Sequence, residues 1–502
     1  MARILFVMRV PSYLRLFGDA VRALAERGHE VLLAYDRPDP VDRGLVPVGA
    51  PPNVQAIGFV PEHGGPWRPF LDEVGRTIDY VRFLSPELGG TPYLRMRMDK
   101  FLPQRFESLR DVEAWPASRV RALSTLATWV DRATPVDPAL VDYVRAQRPD
   151  AVVVTPLVLR GNGGVQQTQF VKAVRRLGIP VGLAVGSWDH LSSKGLIRVD
   201  PDLVMVWNNV QKDEAVQMHR VPADRIVVTG AHAFDQWFRR RPTLGRDEFL
   251  RRVGLPVDKP VVLYAGSSRG IAQPKLEHRF VRKWIKTLRG SSHPEVASAS
   301  VLIRPHPGNF ATWDAAQLAE YGAVGIWPRT RPMLPMNDEE IADYFHTLYY
   351  SAAIVGINTS AMIEASILDR PVLTVEVPEF ASTQAGTTHF HYLTPEGGGC
   401  VLTARRFKDH LGQLRKVLAH PETGRAERRR FVEAFVRPKG IDVEARAHFA
   451  DAVERLTTLR PAAVSDHPLW LAPARATLRV VARRWAHDAA PPERGAADAQ
   501  DF

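Results

Sequence analysis

The sequence holds one cysteine, Cys400, among 502 residues. One thiol cannot pair within the chain and cannot build a zinc site that needs two or more cysteines, so a disulfide scaffold and a zinc finger are both excluded. A reducing cytoplasm is the expected home. Long apolar runs are also scarce: even Ala151 to Leu159 falls far short of the ~18 residues that a spanning helix needs. The opening MARILFVMRV carries two arginines and a short apolar run that stops before Pro11 without a small-residue cleavage pattern. It reads as a buried strand rather than a signal peptide. A chain that is soluble, or peripheral to a membrane, is expected. The loop after that strand lacks G-x-G-x-x-G, which leaves a nicotinamide or flavin site unsupported. No RNP aromatic pattern or long basic block is present, so no nucleic acid partner is expected.

What is present is a globular composition, 45% apolar and 24% charged, in a chain long enough for two to three domains with real cores. The formal net charge is +11, from 66 Lys and Arg against 55 Asp and Glu. Residues 61–140 balance, with 11 basic against 11 acidic, whereas residues 401–502 hold 19 against 13. An arginine-rich solvated helical surface accounts for this, and so does an anionic partner such as a phosphorylated substrate or a membrane surface.

Along the chain, Ile4 to Met8, a break at Pro11 and Ser12, an apolar face at Leu14, Phe17, Val21 and Leu24, a stop at Gly28 and a run from Val31 to Ala34 predict a βαβ opening. Residues 60–140 interrupt the rhythm as a helical insertion. Strands are expected again at 151–155, 181–185, 203–207 and 226–229, with a helix over about 166–177. After an Arg- and Pro-rich linker at 238–259, further strands are expected at 261–265, 301–304, 353–357 and 371–377, with a helix from about Asp338 to Tyr350. Short apolar strands alternating with helices predict doubly wound parallel sheets. The expected architecture is therefore α/β with two facing Rossmann-like domains, 1–237 and 260–460, and a cleft between them at the carboxyl ends of their strands.

In such sheets function sits in loops that follow strands, and four stand out. Tyr264-Ala-Gly-Ser-Ser-Arg-Gly270 offers small residues, free backbone N–H groups and Arg269 to an anion; an ordinary polar turn is the plain alternative. Arg304-Pro305-His306-Pro307 displays a guanidinium and an imidazole on a loop stiffened by two prolines, suited to phosphate binding or proton transfer. Gly356-Ile-Asn-Thr-Ser-Ala-Met-Ile-Glu364 places Asn358, Thr359 and Ser360 before a helix whose N-terminus favours a diphosphate, with Glu364 one turn in. Any strand-to-helix junction uses such a cap. Val185-Gly-Ser-Trp-Asp-His-Leu-Ser-Ser-Lys-Gly195 sets Asp189 beside His190, one suited to act as general base and the other to orient it, with Lys194 for a phosphate. A structural loop explains it equally. Gly230-Ala-His-Ala-Phe-Asp235 would lie near the domain joint.

The ordered set SWDHLSSKG, VVTGAHAFDQW, YAGSSRG, RPHP and GINTSAMIEASILDRPVLTV resembles glycosyltransferases of the GT-B fold. It is similar to the CDP-glycerol glycerophosphotransferase and surface-polysaccharide group, with nucleotide-sugar 2-epimerases as relatives, over about residues 150–400. The resemblance implies a nucleotide-activated donor in the C-terminal half. Ser267, Ser268, Arg269, Arg304, His306, Asn358, Thr359 and Ser360 would surround the diphosphate, and Glu364 would meet the ribose. Asp189, His190 and His306 would be catalytic, and Trp188, Lys194 and Asp235 would face the acceptor. The chain departs from the glycerophosphotransferase pattern at Trp188-Asp189-His190, where a His-Gly pair follows the Trp, and Val372 stands where many sugar transferases carry a second glutamate.

The expected function is transfer of a sugar, or a glycerol or polyol phosphate, from a nucleotide-activated donor to a glycan or lipid-linked acceptor in cell-envelope biosynthesis. No metal is expected, because Asp200-Pro-Asp202 precedes its strand and reads as a turn, and because Arg, His and a helix N-terminus can neutralise a leaving diphosphate. A 2-epimerase and a non-catalytic binding protein that kept the fold are the alternatives. Within the basic tail, 461–502, the residues Leu471, Ala474, Leu478, Val481 and Trp485 share one face and Arg475, Arg479, Arg483 and Arg484 lie largely off it. That pattern suits peripheral contact through 470–487 with the inner face of the plasma membrane, or packing back on the N-terminal domain. The Ala-, Asp- and Pro-rich end is expected to be disordered.

Overall fold

The computed structural model describes residues 1–39, 44–88, 91–313, 318, 320–329, 338–464 and 472–488. Leu471 and the Ala-, Asp- and Pro-rich end beyond residue 488 lie outside the described residues. The described residues divide into two compact units, one built from Met1–Ala233 and from Phe435 to Asp488, the other from Phe234–Ala434.

The first unit holds a seven-stranded, wholly parallel sheet. Its strands are β1 (Arg3–Met8), β2 (Glu30–Tyr35), β3 (Val54–Phe59), β4 (Ala151–Thr155), β5 (Val181–Ala184), β6 (Leu203–Val206) and β7 (Ile226–Val228), in the order β3-β2-β1-β4-β5-β6-β7. Strands β1, β4, β5 and β6 are almost fully buried, which is why they read as continuous apolar runs. The second unit holds a six-stranded parallel sheet of β8 (Val261–Ala265), β9 (Ser300–Arg304), β10 (Val324–Ile326), β11 (Ala353–Gly356), β12 (Val372–Val375) and β13 (Leu402–Ala404), in the order β10-β9-β8-β11-β12-β13. The sequence gives no sign of β3, β10 or β13, and all three are sheet edges. Their side chains are only partly buried, so packing does not demand an apolar run there.

The structure moves the expected domain limits. The segment 238–259 is not a bare linker, since it contains the helix Arg246–Val253, whose Phe249, Leu250 and Val253 are buried within the second unit. The segment 435–460, assigned from sequence to the C-terminal domain, belongs to the first unit. There the helix Ala445–Thr458 lies against the helix Leu14–Glu26. Phe449, fully buried, packs on Phe6 and Phe17, with ring centroids 6.3 and 6.1 Å away. Arg27 and His29 bind Glu454 at 2.9 and 3.0 Å. Gly230 admits the returning chain. Its φ is +86°, and a Cβ there would lie 2.8 Å from the Ala445 Cβ and 3.2 Å from the Val436 carbonyl.

The insertion forms the helices Arg68–Val81, Pro92–Asp99 and Ala117–Ala133, and the tail forms Ala472–Asp488. The tail's apolar face is occupied. Leu478, Val481, Ala482 and Trp485 pack with Trp67, Phe70 and Leu71 of the insertion, Arg475 donates to the Ala133 carbonyl at 2.8 Å, and the Trp485 Nε1 donates to Glu73 at 2.6 Å. The face expected at a membrane is thus a packing face, apart from Ala474, which is exposed. No helix among the described residues is long and apolar enough to cross a membrane.

Removing the Phe449 ring leaves a cavity under the returning helix. Phe449→Ala lowers the stability of the first unit by about 3–5 kcal/mol, read as a drop in its urea midpoint, while unfolding of the second unit keeps its midpoint.

Candidate functional site

The second sheet aligns the ends of three strands. Ala265 pairs with Arg304 on one side and with Gly356 on the other, so the loops after β8, β9 and β11 leave the sheet side by side. Gly266 lets two of them touch. Its N–H donates to the Arg304 carbonyl at 2.9 Å, and a Cβ at 266 would lie 2.7 Å from the His306 nitrogen. Any side chain there would push the loops apart.

Below these loops Glu277, in the first turn of the helix Pro274–Arg289, is fully buried and acts as a hub. It accepts the Ser267 N–H at 2.8 Å, the Tyr264 hydroxyl at 3.2 Å and the Asn309 amide at 3.1 Å. Asn309 also donates to the Ser267 and Ala272 carbonyls, at 2.8 and 3.2 Å. One carboxylate and one amide therefore fix both loops. Burial pushes the Glu277 carboxyl up to about 7, against these three hydrogen bonds.

The residues expected around a diphosphate separate into two groups. Ser267 is fully buried and its N–H is given to Glu277, so it shapes the loop and does not face a ligand. Asn358 is buried and donates to the Thr383 carbonyl at 2.7 Å. Arg304, with its side chain 11% exposed, pairs with Asp343 at 3.2 Å and stacks over Tyr344 at 4.8 Å. Burial lowers its pKa, and Asp343 opposes the shift. Its charge is largely met inside the protein. The second group is less enclosed. Arg269 is exposed and donates to the Gly308 carbonyl at 3.2 Å. The N–H groups of Ser268, Arg269 and Gly270 have no acceptor among the described residues. His306 accepts the Gly308 N–H on Nδ1 at 3.1 Å, which leaves the ring proton on Nε2. Thr359 is half-buried and Ser360 exposed; Ser360 is the N-cap by position, yet makes no side-chain cap bond, and Thr359 accepts the Ala361 N–H at 3.4 Å.

Glu364, expected at a ribose, accepts the Tyr344 hydroxyl, while Asp343 also accepts the Trp327 Nε1 at 2.8 Å. Trp327, Asp343, Arg304, Tyr344 and Glu364 form one linked cluster. Glu277, Asn309, Asp343 and Tyr344 were not legible as site residues. An acid in the first turn of a helix was the one available signal for Glu277, and Asp343 and Tyr344 lie in a helix whose pattern shows only its buried side.

The Asp189 loop, in the first unit, differs from its expected role. Both Asp189 carboxylate oxygens accept serine hydroxyls, from Ser187 at 2.6 Å and Ser193 at 2.9 Å. Trp188, His190 and Lys194 are buried. The loop is held from outside as well: Arg82 donates to the carbonyls of Leu191, Lys194 and Gly195 at 2.8 to 2.9 Å. A serine-braced loop, rather than an open acid and base pair, is what these residues build. His232 is buried between Phe17 and Phe449, and burial lowers its pKa to about 3, so it is neutral. Asp235 is buried at the start of the helix Asp235–Arg239 in the second unit. Asp202 accepts the Val181 N–H at 2.9 Å.

No protein-family model and no curated protein matches the chain. Solved structures do. A candidate UDP-N-acetylglucosamine 2-epimerase of Listeria monocytogenes aligns with a TM-score of 0.50 at 11% identity, over 92% of this chain and 99% of that one. Weaker likenesses are to UDP-GlcNAc 2-epimerase of Neisseria meningitidis bound to UDP-GlcNAc, with a TM-score of 0.48, 11% identity and 91% and 99% coverage, and to a glycosyltransferase of Rickettsia africae, with 0.46, 11%, and 91% and 98%. At such identity the likeness concerns the fold. With its seven- and six-stranded parallel sheets, the chain has the two-domain GT-B fold, a glycosyltransferase-like architecture.

The Glu277 hub predicts a pH dependence. A carboxyl held near 7 in the folded state and near 4.5 when unfolded binds its proton more tightly when folded. Its contribution therefore favours the folded state below about 4.5 and is lost as pH rises through 7. Glu277→Gln cannot ionise. Its stability relative to the natural chain should rise by roughly 1–3 kcal/mol between pH 4.5 and 8 in urea titrations; a constant difference would contradict the account.

Proposed function

We propose that the chain is a glycosyltransferase, moving a sugar or polyol phosphate from a nucleotide-activated donor to a glycan or lipid-linked acceptor. The second unit takes the diphosphate of the donor. One observation carries this reading: the aligned ends of β8 and β9 bring the N–H groups at 268–270, which have no acceptor among the described residues, the Arg269 guanidinium and the His306 imidazole to one end of one sheet. A backbone concavity with a cation and a neutral imidazole donor suits a dianionic diphosphate. In the transfer of a sugar the bond from its carbon to the diphosphate oxygen breaks, in that of a polyol phosphate the bridging P–O bond within the diphosphate breaks, and in each the electron pair stays with the leaving phosphate oxygen. Arg269, His306 and the loop N–H groups meet the developing charge there without calling on a metal ion. The acceptor hydroxyl forms the new bond, and its proton passes to solvent water or to the leaving phosphate. Ser360 and Thr359 extend the concavity, while Arg304 and Glu364 act through the Asp343 and Tyr344 cluster to set its wall.

Thermal-shift titration with ADP, GDP, CDP, UDP and dTDP tests the reading. At least one should raise the melting temperature, and Arg269→Ala, at an exposed position, should keep the unliganded melting temperature while weakening that nucleotide at least tenfold. No stabilisation by any of the five removes the donor site. Turnover of a nucleotide sugar in the absence of any acceptor, into its 2-epimer, would instead favour the epimerase reading.

A further inference from the structure

Two helices of the first unit, Ala117–Ala133 of the insertion and Ala472–Asp488 of the tail, turn outward a surface that is basic and partly apolar. On the first helix Arg119 and Arg121 are exposed, and its one acid, Asp131, is buried. On the tail Arg479, Arg483 and Arg484 are exposed, and its one acid is the last residue, Asp488. None of these five arginines forms an ion pair among the described residues. Glu73, against which the tail packs, is taken by Arg105 at 2.7 Å and by the Trp485 Nε1 at 2.6 Å. Large apolar side chains stand among the arginines. Leu126 is 59% exposed, Val480 55% and Trp129 43%, and Trp129 is the one exposed tryptophan among the described residues.

The two outward faces adjoin. Ala122, Leu126 and Trp129 follow one another at helical-turn spacing, so they form a row that leads to Ala133. There the tail meets the helix: Arg475 donates to the Ala133 carbonyl at 2.8 Å, and Val130 packs in the same cluster as Leu478, Val481 and Trp485. Arg479 and Arg483 follow Arg475 at intervals of four, which sets them along the side of the tail that borders the row, with Val480 beside them. The packed face of the tail is a different one, so burial and exposure draw on separate residues.

We propose that this surface docks the first unit reversibly on an anionic lipid bilayer. Its guanidinium groups meet headgroup phosphates, while Trp129, Leu126 and Val480 enter the zone between headgroups and acyl chains, where aromatic and aliphatic side chains are favoured. A soluble polyanion would engage the arginines and leave the apolar row in water. The contact is peripheral, and salt weakens it because the charges are exposed. The proposal does not rest on the donor reading, since it concerns a surface of the first unit and its test uses no nucleotide.

Vesicle flotation of the full chain tests it, with phosphatidylglycerol and phosphatidylcholine in equal parts or with phosphatidylcholine alone. Partition onto the anionic vesicles should be saturable, at least tenfold stronger than onto the zwitterionic ones, and reduced by high salt. Arg479→Glu with Arg483→Glu, and separately Leu126→Ser with Trp129→Ser, should each weaken it at least tenfold. Where the second pair fails to fold, Leu126→Ser alone decides, with an expected loss of at least threefold. Lys275→Glu with Lys286→Glu, exposed on the helix Pro274–Arg289 of the second unit, changes the net charge equally and should leave partition within twofold. No saturable partition, equal partition onto both vesicles, an equal loss in the second-unit variant, or partition unmoved by the serine variants, which would mark a site for soluble polyanions, would each overturn it.

Discussion

A buried carboxylate held by three uncharged donors is the constraint from which the candidate site follows. Ionised Glu277 would be costly where it lies, and three donors offset that cost by converging on it: a backbone N–H from the loop after β8, a hydroxyl from β8 itself, and an amide from the loop after β9. The strand register brings the loops to the same level, but register alone does not fix loops. Glu277 and Asn309 do, and the Gly266 contact with His306 closes the remaining gap. The groups above, at 268–270 and 306, inherit their positions from this buried layer. Preorganisation of that kind is what anion recognition by backbone N–H groups requires.

A similar division of labour appears at Arg304. Its position at the end of β9 made it a natural phosphate ligand, and the structure pairs it with Asp343 and stacks it on Tyr344, whose hydroxyl is held by Glu364. Two residues expected to touch a ligand thus hold each other through a third. In the first unit, Asp189 binds Ser187 and Ser193, and Arg82 holds the loop by its carbonyls. Polar residues after strands serve the loop before they serve a ligand.

How much was legible in the sequence follows from what each feature depends on. Central strands such as Ala151–Thr155 and Val261–Ala265 were found to the residue, since burial on both faces dictates an unbroken apolar run. Edge strands at Val54–Phe59, Val324–Ile326 and Leu402–Ala404 carry no such demand and were missed. Loops bearing the candidate site were located because strand ends are readable. Which of their side chains point inward was not, because that is decided by partners remote in sequence: Glu277 for Ser267, Thr383 for Asn358, Asp343 for Arg304. The return of the helix Ala445–Thr458 to the first unit was hidden for the same reason, being fixed by Phe6, Phe17, Arg27 and His29.

The central claim is that the aligned ends of β8, β9 and β11 hold a nucleoside diphosphate, and hydrogen–deuterium exchange of the full chain tests it most directly. In the presence of ADP, GDP, CDP, UDP and dTDP together, the backbone should gain protection at 266–272, 304–309 and 358–364, with Ser268, Arg269 and Gly270 among the amides slowed. Unchanged exchange in all three segments, or protection confined to other parts of the chain, would contradict the account.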